Sequence, residues 1–177
     1  IRECEFISAA AVRRFRKMGK MGSIRFKTYA EAYDYFYGKK NHRWDLGLEN
    51  IKRFLKDMGS PEEKLGIIQI AGTNGKGSVS SYITDILMEK YDRVGRYNSP
   101  VVFEERENIS INNIPMTEEE FISQTDELYE HIEKAEREDR LPTIFELETI
   151  MAVNFFYKKN LYTDILETGL GGSDNAT

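Results

Sequence analysis

Eight consecutive residues, Ala71-Gly72-Thr73-Asn74-Gly75-Lys76-Gly77-Ser78, hold the types and spacing that phosphate chemistry needs. Glycines let the backbone curl so that successive N–H groups point inward at phosphate oxygens. A helix starting here adds its positive N-terminal end. Lys76 supplies a full charge for β- and γ-phosphates, and the Ser78 hydroxyl can reach phosphate or metal. The pattern departs from G-x-x-x-x-G-K-[ST]: Ile70 stands where that pattern has Gly, and Gly77 separates Lys76 from Ser78. A glycine-rich turn alone is an ordinary tight turn. Strand, loop, lysine, hydroxyl and helix in that order point to nucleotide binding.

The elements that must position this loop are legible around it. Ile67, Ile68 and Ile70 form a β-branched run, expected as a buried strand, and Val79, Tyr82, Ile83, Ile86 and Leu87 mark the helix after the loop. Upstream, Thr28 can cap a helix with Tyr29, Ala32, Tyr33 and Phe36 on one face. Leu48, Ile51, Phe54, Leu55 and Met58 recur at helical spacing until Gly59-Ser60-Pro61. Downstream, residues 94–97 read as a short strand ending at Asn98-Ser99-Pro100. Ile109 to Ile114 around Asn112-Asn113 suggests a small strand or hairpin. Thr117-Glu118-Glu119-Glu120 is a capping-box pattern opening a helix striped by Phe121, Thr125, Leu128, Ile132 and Ala135. Pro142-Thr143 opens another, apolar over most of its circumference and so buried, running to about Asn160. Residues 163–167 read as a last strand. Strands alternating with helices imply an α/β fold with a parallel sheet and flanking helices.

Composition narrows the function classes. The 177 residues suffice for one sizeable domain, and no apolar run approaches the ~20 residues a membrane helix needs. One cysteine, Cys4, excludes a disulfide framework and fits a cytoplasmic setting. Neither His42 nor His131 has a second metal-type ligand at useful spacing. The net charge of −5 hides a basic stretch: residues 1–27 carry eight Lys/Arg against Glu3 and Glu5, and the remainder is net −11. An acidic body argues against nucleic acid as a partner. The first 27 residues are expected to be a leader outside the fold, with Met18 or Met21 as alternative starts.

The loop Gly72–Ser78 resembles that of the Mur-ligase superfamily, and Thr73-Asn74 within it resembles the folylpolyglutamate synthase / dihydrofolate synthase branch. Asp45-Leu46-Gly47-Leu48-Glu49 is similar to that family's segment before the first strand. Gly95-Arg96-Tyr97-Asn98-Ser99-Pro100 resembles its Gly-x-Tyr-x-Ser-Pro, and Thr143-Ile144-Phe145-Glu146 its Thr-x-Phe-Glu. Leu166-Glu167-Thr168-Gly169-Leu170-Gly171-Gly172 is similar to its Leu-Glu-x-Gly-Leu-Gly-Gly. The resemblance runs from Thr28 to Thr177 in the family's order. It implies the N-terminal part of a Mur-ligase ATP-binding domain, incomplete at residue 177, without the C-terminal glutamate-binding domain.

The resemblance also implies chemistry. ATP and Mg²⁺ are the expected cofactors; a folate or dihydropteroate and L-glutamate are the substrates, joined through an acyl phosphate by an enzyme that is monomeric when full length. Lys76 and Glu167 become the catalytic residues, Gly72, Thr73, Asn74, Gly75, Lys76, Gly77 and Ser78 the ATP contacts, and Ser99 and Glu167 the metal ligands. Trp44, Asp45, Leu46, Thr143, Ile144, Phe145, Glu146, Asp174, Asn175 and Ala176 become the pterin contacts. Two departures stand out. The arginine usual after Gly172 is replaced by Ser173, and Ser-Pro-His is here Ser99-Pro100-Val101. Two other readings are a Mur-type peptidoglycan ligase and a non-catalytic nucleotide- or folate-binding remnant; Asp45–Glu49 and Thr143–Glu146 weigh against the first.

Overall fold

The computed structural model describes residues 25–39, 48–99, 105–161 and 163–168. Along the chain it runs α1 (Tyr29–Gly38), α2 (Glu49–Asp57), β1 (Ile67–Ile70), α3 (Lys76–Met88), β2 (Gly95–Tyr97), β3 (Ile109–Ile111), β4 (Ile114–Pro115), α4 (Glu118–Arg137), α5 (Ile144–Lys158) and β5 (Asp164–Glu167). Capping boxes start three of the helices: Thr28 with Glu31, Thr117 with Glu120 and Thr143 with Glu146 each exchange side-chain-to-backbone hydrogen bonds. Each box satisfies two amides that a helix start leaves without partners. The box read from the sequence at Thr117 is present, and the helix starts expected at Thr28 and Thr143 prove to be capping boxes too.

The sheet order is β1-β5-β2-β3-β4. β5 lies between β1 and β2 and is parallel to both, which are the crossover pairings expected of an α/β chain. The other two strands run antiparallel. The expectation of a parallel sheet therefore holds for three strands and not for the β3–β4 hairpin. Asn112 and Asn113, at φ 51° and 62°, form its two-residue turn, a link too short for a parallel crossover.

Helices cover both faces. On one, α5 lies against the sheet with α1, α2 and α4 around it, and Phe36, Phe54, Phe121, Leu128, Ile132, Leu147, Ile150 and Phe156 are all 0–2 % exposed. On the other, α3 covers a smaller cluster of Ile70, Val94 and Ile165, flanked by Ile68, Ile83 and Leu87. No helix among the described residues is long and apolar enough to cross a membrane.

Three expectations change. The packed chain begins before Thr28: Phe26 is buried in the core, and the Arg25 guanidinium lies 3.6 Å from the Tyr129 ring and pairs with Glu130. An aromatic side chain at position 26 gives that stretch something to bury. β1 is not a buried strand. Its single partner among the described residues is β5, and Ile67 is 38 % exposed. On α3, Val79, Tyr82 and Ile86 face outward at 46 %, 69 % and 68 % exposure, while Ser80 and Thr84 are fully buried. Small polar residues suit this close contact because Thr84 returns its hydroxyl to the Ser80 carbonyl, 2.8 Å away.

Candidate functional site

Strand register builds the site. Ile70 pairs with Glu167 and Tyr97 with Leu166, so β1, β5 and β2 end along one edge of the sheet. The loop after β1, the last residue of β5 and Asn98-Ser99 after β2 emerge side by side. Ligands of open α/β sheets bind outside the carboxyl ends of parallel strands.

Residues 71–75 are all exposed, leaving their amides accessible. Gly75 stands at φ 79°, a conformation that costs a side-chain-bearing residue energy, and α3 starts directly after it. No side chain caps that start, whereas α1, α4 and α5 are each closed by a capping box. The first-turn amides of Lys76, Gly77 and Ser78 are therefore donors with no partner inside the helix, at its positive end.

Lys76 Nζ lies 3.7 Å from Glu167 Oε1, with the two side chains 15 % and 6 % exposed. That is an ion pair without a tight hydrogen bond. Burial pushes the Glu167 carboxyl up from its usual value. Lys76, the Ser99 backbone amide and Arg96 pull it back down. Three elements thus converge on one carboxylate. The Gly77 position sits against it as well: a Cβ there would lie 3.8 Å from Glu167 Oε2.

Among the described residues no three His, Cys, Asp or Glu side chains group as metal ligands. One nearly buried carboxylate beside a hydroxyl residue is too sparse for a dedicated metal cage. It matches the needs of Mg²⁺, which keeps several waters and is shared between one or two carboxylates and substrate phosphates.

The expected pterin contacts divide. Trp44, Asp45, Leu46, Asp174, Asn175 and Ala176 lie outside the described residues. Thr143, Ile144 and Phe145 are half-buried at the start of α5, and the Phe145 ring stands 6.2 Å from that of Tyr97. Glu146 is 5 % exposed, and its Oε2 accepts from the Thr143 amide at 2.7 Å and the Thr143 hydroxyl at 3.0 Å. The structure thus gives Glu146 a helix-capping task.

Sequence reasoning missed Arg96. Gly95 and Tyr97 face α5, so strand alternation sends Arg96 to the α3 side, where Asp85 and Glu167 favour its charge against partial burial. That alternation was the available signal. It also missed Asn98, whose Oδ1 accepts from the Ser80 hydroxyl at 2.8 Å and ties the end of β2 to α3.

No protein-family model matches the chain. It is similar to the dihydrofolate synthase/folylpolyglutamate synthase of Bacillus subtilis, 33 % identical over 154 residues that cover 86 % of this chain and 36 % of the relative. Its fold matches the crystal structure of folylpolyglutamate synthase from Thermotoga maritima, with a TM-score of 0.77 and 36 % identity over 84 % of this chain and 34 % of that one. A complex of folylpolyglutamate synthase with AMPPCP and folate matches with a TM-score of 0.79 and 26 % identity, over 85 % of this chain and 37 % of that one. The chain spans about a third of the length of the curated relatives it matches.

Proposed function

Since this chain is a relative of the folylpolyglutamate and dihydrofolate synthases, we propose that it carries the nucleotide and pterin sites of an ATP-dependent ligase that adds L-glutamate to a folate. The observation that supports this most is the strand register, which sets Lys76, Ser99 and Glu167 along one sheet edge. In the reaction, the γ-phosphoryl group of ATP passes to the carboxylate of dihydropteroate or of a folate's terminal glutamate. The amine of L-glutamate then attacks the acyl phosphate. An amide bond forms, the C–O bond to phosphate breaks, and the amine proton is released.

The chain's own residues act by placement and charge. The amides at residues 72–78 cradle phosphate oxygens at the start of α3. Lys76 neutralises charge on the transferring phosphoryl group, and the Ser78 hydroxyl binds phosphate or metal. Ser99 and Glu167 would hold Mg²⁺, which when bound offsets phosphate charge and orients the triphosphate. Thr143, Ile144 and Phe145 present the start of α5 to the pterin, and Trp44, Asp45, Leu46, Asp174, Asn175 and Ala176, outside the described residues, are the further pterin contacts of this reading. No nucleophilic side chain is needed, because positioning and charge neutralisation lower the barrier.

Isothermal titration of the 177-residue chain with MgATP and with pteroate tests this reading. Saturable binding of both is expected. A folded chain that binds neither ligand overturns it.

A further inference from the structure

We propose that Glu148 is a positioning residue for the pterin side of the site: its carboxylate accepts hydrogen bonds from Tyr37 and Tyr97 and so fixes the end of α1, the strand β2 and the first turn of α5 relative to one another. The inference rests on the pterin reading of the preceding subsection. Tyr37 Oη donates to Glu148 Oε1 at 3.0 Å, and Tyr97 Oη donates to Oε2 at 3.3 Å. Each oxygen of one carboxylate thus takes a phenol from a different element.

The partners are themselves held in place. Tyr97 is fully buried on β2. Burial first, and the Glu148 charge second, hold its phenol well above the usual range, so it remains a donor at any working pH. Tyr37 lies 4.6 Å from the Tyr33 ring and is stacked nearly parallel to Phe121. Glu148 stands on α5 just beyond the capping box of Thr143 and Glu146. Rigid donors on two elements and a fixed acceptor on a third make the bridge a brace.

What the three elements carry gives the brace its role. α1 brings the Tyr37 phenol to Glu148. α5 opens with Ile144 and Phe145, and Phe145 reaches the Tyr97 ring. β2 contributes Tyr97, whose ring backs Phe145. The end of β2 is tied separately to α3 by the Ser80–Asn98 hydrogen bond, and the loop after β1 is held by Lys76 against Glu167, so a defect in the brace should spare nucleotide binding.

The test combines amide hydrogen exchange with ligand titration on the whole chain, comparing the wild type with Glu148→Leu, Glu148→Gln and Tyr37→Phe. In Glu148→Leu, exchange should quicken several-fold at Lys39 and Leu147, whose amides close the end of α1 and the start of α5, and stay unchanged at Val79 in α3. Pteroate affinity should fall about tenfold, the scale of a lost charge-assisted hydrogen bond, with MgATP affinity unchanged. Glu148→Gln should recover most of the loss. Tyr37→Phe, which removes one hydroxyl and no packing volume, should show the same pattern more weakly and serves where Glu148→Leu does not fold. Unchanged exchange at Lys39 and Leu147 in both Tyr37→Phe and the folded Glu148 variants overturns the proposal. Quickened exchange with wild-type pteroate affinity also overturns it, because the bridge is then structural only. A wild type that binds MgATP but no pteroate instead overturns the ligand reading, and the exchange data still show whether Glu148 couples the three elements.

Discussion

The Lys76 ammonium stands 3.7 Å from Glu167 Oε1, joining the first residue of α3 to the last residue of β5. Lys76→Ala removes the phosphate-facing cation and leaves the Glu167 carboxylate with the Ser99 amide and Arg96. MgATP affinity should fall tenfold or more, on the order of one charge-assisted hydrogen bond or greater. Circular dichroism should remain that of the wild type, because a carboxyl already pushed up by burial can take a proton when its partner is removed. Unchanged affinity in titration calorimetry would remove the loop from the nucleotide site.

Glu167→Gln keeps the shape of the side chain and removes the charge that attracts a divalent cation. Nucleotide binding by the wild type should strengthen with Mg²⁺, and in the variant that dependence should largely vanish. Titrations of ATP with Mg²⁺ and with excess chelator measure it. Equal wild-type affinity under both conditions defeats the metal role.

Asp164 governs a pH effect on stability. It is fully buried at the start of β5, neither carboxylate oxygen has a hydrogen-bonding partner of normal geometry, and burial pushes it up to about 7. A carboxyl raised in the folded state holds its proton more tightly folded than unfolded. Its penalty is absent below about pH 4, grows as pH rises towards 7 and is constant above. A displacement from 3.8 to about 7 corresponds to roughly 4 kcal/mol. Urea unfolding of the wild type and Asp164→Asn should therefore give a stability difference that moves in favour of the variant between pH 4 and pH 7. A difference independent of pH would show that Asp164 does not titrate there.

Gly95 supplies the space beside that carboxyl. A Cβ on Gly95 would crowd Asp164 Oδ1 and lie 2.8 Å from Phe156 Cδ1 and 2.9 Å from Leu161 Cδ1. Gly95→Ala should destabilise the fold by about 1–3 kcal/mol, the usual cost of overpacking, seen as a lower urea midpoint with unchanged slope. Wild-type stability in the variant would mean that β2 and β5 separate easily.

The outward face of α3 exposes Val79, Tyr82 and Ile86, and β1 has one sheet neighbour among the described residues. Exposed apolar side chains on a helix and a strand at the edge of the described sheet each favour association. The 177-residue chain should grow in apparent mass with concentration in analytical ultracentrifugation, and a Tyr82→Lys, Ile86→Lys double variant should reduce this. Identical sedimentation of both would assign the effect elsewhere.

Local signals were legible in the sequence and distant ones were not. The capping box at Thr117, the cap at Thr28 and the α4 stripe of Phe121, Thr125, Leu128, Ile132 and Ala135 depend on residues three or four apart, and they appear in the structure as written. The meeting of Lys76, Ser99 and Glu167 was legible through resemblance, and strand register supplies its physical basis. Periodicity said which residues of α3 share a face but not which face the sheet covers, so Ser80 and Thr84 were missed beneath it. The Tyr37–Glu148 bond joins positions with no local pattern in common. Asp164 passed as one residue of the stretch 163–167 read as a strand, because its isolation follows from the packing of Phe156 and Leu161 around Gly95.

The register of β1 also sets an order of assembly. Residue 67 finds its strand partner only at residue 164, and among the described residues β1 has no other neighbour in the sheet. The β2–β3–β4 ribbon uses short connections and can organise during synthesis, whereas α1 meets α4 through Tyr35 and Glu133, separated by 98 residues, and α5 through Tyr37 and Glu148, separated by 111. Closing these long connections, β1 to β5 among them, carries a larger entropic cost and belongs late in the sequence of events. A growing chain on the ribosome would thus acquire its phosphate loop geometry only once β5 has emerged, and nucleotide capture would report the completion of folding.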